Sequence, residues 1–144
     1  MIKRIIAKLD IKSKNLVKGV NLEGLRTLGK TVDFASYYYN NNVDELIYQD
    51  VVASLYGKNT LYESIEETAK NIFIPLTVGG GISSLEEIHK ILRCGADKVA
   101  INTAAIKKPK LIHDASKKFS KSTIVSSLEI KKRDNHYYCY FDNN

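Results

Sequence analysis

Three apolar runs ending in groups suited to proton transfer or anion binding, with helical stretches between them, predict an α/β fold: a parallel β/α-barrel (TIM barrel), about half of one. The first run, Ile5-Ile6-Ala7-Lys8-Leu9, closes on Asp10; the others close on Val78-Gly79-Gly80-Gly81 and Ile101-Asn102-Thr103. Active groups of such barrels collect at the carboxyl ends of the parallel strands. A complete eight-fold barrel needs ~250 residues, and this chain has 144. Residues 1–144 therefore read as a single partial barrel domain, with four βα units plus a fifth strand and hairpin.

Strand-like apolar runs fall at about residues 3 to 9, 45 to 51, 74 to 78, 97 to 102 and 123 to 130. After the first, the stretch from Ser13 to Lys30 carries Gly19, Gly24 and Gly29 without a sustained period and reads as a long, functional loop. Tyr62, Ile65, Ala69 and Ile72 follow helical spacing with Glu63, Glu66 and Glu67 on the other side. Leu85, Ile88, Ile91 and Leu92 repeat the pattern after Ser83 and Ser84, which with Glu86 and Glu87 form an N-cap and acidic first turn. Pro109 suits a first helical turn and opens a helix through Ile112 and Ala115. Tyr137 to Phe141, after the turn-prone Asp134-Asn135, reads as the return strand of a hairpin on the fifth strand. A weak internal repeat joins Val43-Asp44-Glu45-Leu46-Ile47 to Ala96-Asp97-Lys98-Val99-Ala100, each an acid-then-charge entry into an apolar strand after a helix.

The composition is that of an ordinary soluble domain, 44% hydrophobic and 26% charged. The net charge of +6 and pI near 9.2 suit an anionic small molecule better than nucleic acid. The basic residues are scattered in pairs, Lys107-Lys108, Lys117-Lys118 and Lys131-Lys132, on what read as outer faces, with no arginine run interleaved with aromatics. Cys94 and Cys139 lie far apart without ligand spacing, so no metal site, cofactor or disulfide framework is expected. No run approaches the ~18 apolar residues of a membrane helix, and the N-terminus enters a strand without a signal-peptide core, so a cytoplasmic location is expected.

Gly79-Gly80-Gly81 leads from a strand into a helix start, where backbone amides can approach a phosphate closely. Glycines there also serve tight turns. Asn102 and Thr103, at the next strand end, bring amide and hydroxyl donors to the same rim. Asp10 suits a general acid or base, or else an Asx turn. Glu129, at the end of the fifth strand, is its partner across the mouth, since two carboxylates on one substrate can divide acid and base roles. Asp50 ends the second strand similarly, and Lys18 could clamp a phosphate. Lys8 points with Asp10 into the barrel, where a charge is costly unless Asp10 or Glu129 pairs with it. Arg4, Glu45 and Lys98 lie near strand beginnings with alternating signs and read as a salt-bridge ring at the lower face.

The order of these motifs resembles the cyclase (synthase) subunit of imidazole glycerol phosphate synthase, a β/α-barrel family of histidine biosynthesis. The resemblance is carried by Lys3-Arg4-Ile5-Ile6-Ala7-Lys8-Leu9-Asp10, Val17-Lys18-Gly19, Asp44-Glu45-Leu46, Asp50 with Ala53-Ser54, Thr77-Val78-Gly79-Gly80-Gly81-Ile82, and Gly95 through Ala105. It runs the length of the chain to the fifth strand's hairpin, leaving strands six to eight unrepresented. It implies a lyase that takes ammonia from a glutaminase partner, as a heterodimer. Phosphoribulosyl aminoimidazole carboxamide ribonucleotide, phosphorylated at each end, would be converted to imidazole glycerol phosphate and an aminoimidazole carboxamide ribonucleotide.

The resemblance also implies residue roles: Asp10 as principal acid/base with Glu129 where the family has a second Asp, and Gly81, Asn102, Thr103 and Lys18 at phosphate. Arg4, Glu45 and Lys98 would gate an ammonia passage, and Asp97 would contact the glutaminase. Two positions depart from the family pattern. Glu129 carries its carboxyl one methylene farther out, and a ~1 Å misplacement can cost ~100-fold in rate; Lys8 replaces a small lining residue. These favour an alternative, a diverged paralogue supplying ammonia to a nucleotide sugar for surface-polysaccharide synthesis. A further alternative is a non-catalytic half-barrel that binds phosphate or a glutaminase. The open sheet of a half-barrel is expected to self-associate or take up a second half-barrel.

Overall fold

The computed structural model describes residues 3–20, 24–52 and 59–141. Ala53 and Ser54, part of the motif beginning at Asp50, lie outside them. Five strands run parallel: β1 (Ile6–Lys12), β4 (Glu45–Asp50), β5 (Leu76–Gly79), β6 (Lys98–Ile101) and β7 (Ile124–Ser126). Between them come α1 (Thr31–Asn40), α2 (Asn59–Asn71), α3 (Leu85–Arg93), and the pair α4 (Thr103–Lys107) and α5 (Pro109–Phe119). An antiparallel hairpin, β2 (Asn15–Val20) and β3 (Gly24–Lys30), extends the sheet to the order β3-β2-β1-β4-β5-β6-β7. A second hairpin, β8 (Glu129–Arg133) and β9 (His136–Tyr140), forms its own two-stranded sheet.

Strand alternation divides the residues between two faces. Leu9, Ile11, Leu46, Tyr48, Val78, Val99 and Ile101 are buried with Ala35, Leu61, Ile65, Ile88, Ile91 and Ala115 of the helices. α1 packs on α2, α2 on α3 and α3 on α5, so successive helices are neighbours, as in the outer ring of a barrel. Ile6, Lys8, Asp10, Ile47 and Gln49 alternate onto the other face and remain exposed or half-buried. A parallel sheet is ordinarily covered on both faces. Here helices cover one while charged groups line the other, the arrangement of about half a β/α-barrel cut along its axis.

The helix starts follow the sequence signals. Ser84 caps α3 by accepting from the Glu87 N–H at 3.2 Å, and Glu87 reaches back to the Ser83 N–H at 2.7 Å. Pro109 stands in the first turn of α5. The repeat has a shared geometry: the Ile5 N–H donates to Asp44 Oδ2 at 2.6 Å, and the Leu76 N–H donates to Asp97 Oδ2 at 2.8 Å. In both units the entry aspartate ties its strand to the beginning of the neighbouring parallel strand.

Three expectations need correction. Ser13 to Lys30 is a hairpin, except at residues 21–23, which are outside the description. Its strands are set by backbone pairing while β3 stays largely exposed, so alternation was missing from its sequence. The run at 123 to 130 is two strands. β7 ends at Ser126, the Ser127 N–H bonds Ile101 O at 3.0 Å, and Glu129 starts β8 instead of ending the fifth parallel strand. Lys107 and Lys108 do not lie on an outer face. The short α4 turns the chain back so that both reach the mouth of the sheet.

Candidate active site

A cleft of about 920 Å³ opens at the carboxyl ends of the parallel strands. Lys8 and Asp10 form one wall, Gln49 and Asp50 the next, then Gly80, Gly81 and Ser83, then Asn102, Thr103, Lys107 and Lys108, with Ser127 and Glu129 closing the far side. Asp10 and Glu129 thus border one cavity beside the glycine bend, although Glu129 arrives on a hairpin. Three lysines and three carboxylates line it, so it is a mixed-charge site and not a uniformly basic groove.

Asp10 sits opposite Gln49 in the parallel register, two residues before β1 ends. Its Oδ1 is shielded from solvent and makes no hydrogen bond, while Lys8 Nζ lies 3.3 Å away in ion-pair range. Both side chains are otherwise about half exposed, so the pair is open to solvent and to a ligand. Of the two partners expected for Lys8, the geometry provides Asp10. Gln49, a lining residue that sequence reading missed, could have been found from its register with Asp10 once the strands were aligned.

The glycine bend is sterically fixed. Gly80 has φ +112°, and a Cβ there would lie 2.3 Å from the Asp50 carbonyl oxygen; Gly81 follows at φ +58°. This close approach brings the β5 rim against the end of β4, with Asp50 Oδ1 accepting from the Val52 N–H at 2.9 Å. Asn102 stands between β6 and α4 with its Oδ1 buried and unbonded, and Thr103 opens α4. Donors of backbone, amide and hydroxyl type therefore meet around the space beside Lys107 and Lys108.

Lys18 is outside this lining, exposed on β2 opposite Arg26. Arg4, Glu45 and Lys98 come together at the opposite end of the sheet. Glu45 is buried and bonds Arg4 Nη1 through one oxygen and Lys98 Nζ, at 3.0 Å, through the other. Asp97 is at that end too, beside a hollow of about 340 Å³ formed by Phe73, Ile74, Pro75 and Gly95, with Phe73 largely exposed.

Residues 4–142 match the model of the family described as "Histidine biosynthesis protein". The chain belongs to this family. Among curated relatives it is similar to imidazole glycerol phosphate synthase subunit HisF of Legionella pneumophila, 56% identical over 132 residues, covering 92% of this chain and 62% of the relative. The same-named subunit of an Exiguobacterium species is 43% identical over 138 residues, covering 96% and 54%, and that of Bacillus cereus 45% identical over 130 residues, covering 90% and 52%. The chain thus spans a little over half the length of the curated relatives it matches. Family membership agrees with the parallel sheet and its single helical layer, and no helix among the described residues is long and apolar enough to cross a membrane.

Proposed function

We propose that this chain is the N-terminal half of an ammonia-dependent cyclase of histidine biosynthesis, and that the remaining strands of the barrel complete its site. The observation that carries this reading is the single cleft bordered by Asp10 and Glu129 beside the Gly80-Gly81 bend. One phosphate of the substrate binds at Gly81, Asn102 and Thr103, with Lys107 and Lys108 supplying countercharge, while Asp50 orients the adjoining sugar. Asp10 and Glu129 then move protons on opposite sides of the reacting carbon as ammonia condenses with the ribulosyl carbonyl with loss of water, the C–N bond to the aminoimidazole carboxamide ribonucleotide breaks with a proton delivered to the departing amine, and the imidazole ring closes. Ammonia enters from the end bearing Arg4, Glu45 and Lys98, supplied by a glutaminase docked against Asp97 and the exposed Phe73. Lys18 reaches the substrate only if the β2–β3 hairpin folds over the cleft. The location is cytoplasmic.

The test is ammonia-dependent turnover of phosphoribulosyl aminoimidazole carboxamide ribonucleotide by this chain joined to the strands that complete the barrel. Turnover is expected, with Asp10→Asn lowering it by about 10²- to 10⁴-fold. A folded, complete barrel without turnover would overturn the reading. One observation favours a second reading: Lys8 engages Asp10 at 3.3 Å. A diverged paralogue delivering ammonia to a nucleotide sugar would turn over no histidine-pathway substrate until Glu129→Asp and Lys8→Ala restored the family's residues.

A further inference from the structure

The two oxygens of the Asp10 carboxyl stand in different surroundings. Oδ1 is buried and makes no hydrogen bond, yet the side chain as a whole keeps 48% of its accessible surface. The group therefore turns its Oδ2 side to the cleft and Oδ1 inward. Lys8 Nζ stands 3.3 Å from that inward oxygen. Lys8 lies two residues earlier on β1, hence on the same face and one row nearer the strand beginnings. Its ammonium thus reaches Asp10 from beneath and leaves the mouth above Asp10 to a ligand. Gln49, opposite Asp10 on β4, does not take this part: its Oε1 lies over Gly79, 2.8 Å from where a Cβ would stand, and Asp10 Oδ1 takes no hydrogen bond from it. Lys107 and Lys108 follow β6, three strands away from β1.

We propose that Lys8 is a positioning residue for Asp10: its ammonium holds the inward oxygen so that Oδ2 meets the substrate at a fixed angle. The inference rests on the cyclase reading, in which Asp10 moves a proton on the substrate. The carboxyl torsion of an aspartate is broad, so the plane of the group swings unless one oxygen is engaged. An ionised carboxylate accepts through both oxygens, so Lys8 on one leaves the other free to take and return a proton. A pair this open to solvent adds little to stability. Its effect falls on geometry instead, where a misplacement of ~1 Å can cost about 100-fold in rate. A small side chain at position 8, the family pattern, would bring no cation to Oδ1.

Steady-state kinetics of ammonia-dependent turnover by the completed barrel test this, with circular dichroism showing each variant folded. Lys8→Met is expected to lower kcat by about 10- to 100-fold. KM should stay within about twofold, because Lys8 acts through Asp10 and not on the substrate. Lys8→Arg, which keeps a cation in reach, should recover most of the loss. In an Asp10→Asn background, Lys8→Met should change kcat by less than about twofold, since the carboxylate it serves is gone. Lys8→Gln repeats the measurement if the methionine variant misfolds. A Lys8→Met barrel as active as its parent, the same fold-loss in the Asp10→Asn background, or a raised KM at unchanged kcat would overturn the positioning role and leave the cyclase reading standing. Faster turnover by Lys8→Met would also overturn it, by showing that the lysine obstructs the site. No turnover by the parent barrel would overturn the cyclase reading and this inference with it.

Discussion

Replacing Gly80 by alanine tests whether the bend at the cleft is fixed by steric necessity. The new Cβ would lie 2.3 Å from the Asp50 carbonyl oxygen and 2.8 Å from the Asp50 Cβ. A carbon and a carbonyl oxygen ordinarily approach to about 3.3 Å, so the overlap is about 1 Å. Neither side can yield easily: Gly79 is paired with Gln49 across β4 and β5, and the Val51 N–H is bonded to Ile11 O at 3.1 Å. The φ of +112° adds backbone strain for any residue with a Cβ. Strain of this kind costs roughly 1–3 kcal/mol and overpacking a similar amount. Gly80→Ala should therefore destabilise by roughly 2–6 kcal/mol, lowering the thermal midpoint by about 5–20 °C. Gly19→Ala is the control, because a Cβ there meets nothing within 4 Å. Thermal unfolding followed by circular dichroism measures both. If Gly80→Ala melts with Gly19→Ala, within about 2 °C, the bend is malleable and its role in shaping the site is refuted.

Burial pushes the Tyr48 phenol up to about 12, partly opposed by its 2.6 Å hydrogen bond to Thr68. The folded state then holds a proton that the unfolded chain releases near pH 10, so this stability is whole below pH 10 and is lost as pH rises to about 12. Urea midpoints across that window should fall by an equivalent of roughly 2–3 kcal/mol, and Tyr48→Phe should flatten the fall; an unchanged slope would refute the assignment. At the other end of the sheet, a double-mutant cycle between Glu45→Gln and Lys98→Met should show coupling of about 1–2 kcal/mol. That is below the cost of breaking a fully buried pair, because Lys98 and Arg4 retain access to water. Additivity within about 0.3 kcal/mol would mean the cluster is only a surface feature.

Legibility from sequence followed the physics of each signal. The β1, β4, β5 and β6 runs are apolar because their residues pack under helices, and apolar runs are visible without coordinates. The β2–β3 hairpin carries little such signal, since β3 buries almost nothing and is held through its backbone. The glycine bend and Asn102-Thr103 were visible because strand ends with special residues stand out. Gln49, Lys107 and Lys108 were not, because their membership of the cleft depends on strand register and on the turn made by α4. Glu129 lines the cleft from the first position of β8, not from the end of the fifth parallel strand, because the continuity of Ile124 through Ile130 in sequence conceals the break after Ser126.

The repeat bears most directly on how the two ends of the sheet divide their work. Asp44 and Asp97 each take the backbone N–H at the start of the neighbouring parallel strand, and Glu45 and Lys98, the residues after them, meet each other across the sheet. Charges at this end are therefore spent on one another and on backbone donors, which fixes the strand beginnings. At the opposite end Asn102 Oδ1 is buried without a hydrogen bond, Asp10 Oδ1 has only its ion pair with Lys8 Nζ at 3.3 Å, and the chain turns through left-handed glycines. Unsatisfied polar atoms and strained bends persist only where the surrounding structure holds them in place. At the bend that hold comes from the pairing of Gly79 with Gln49 and from the Val51 N–H bond to Ile11 O, and the cleft at the strand ends is where donors and acceptors remain for a ligand.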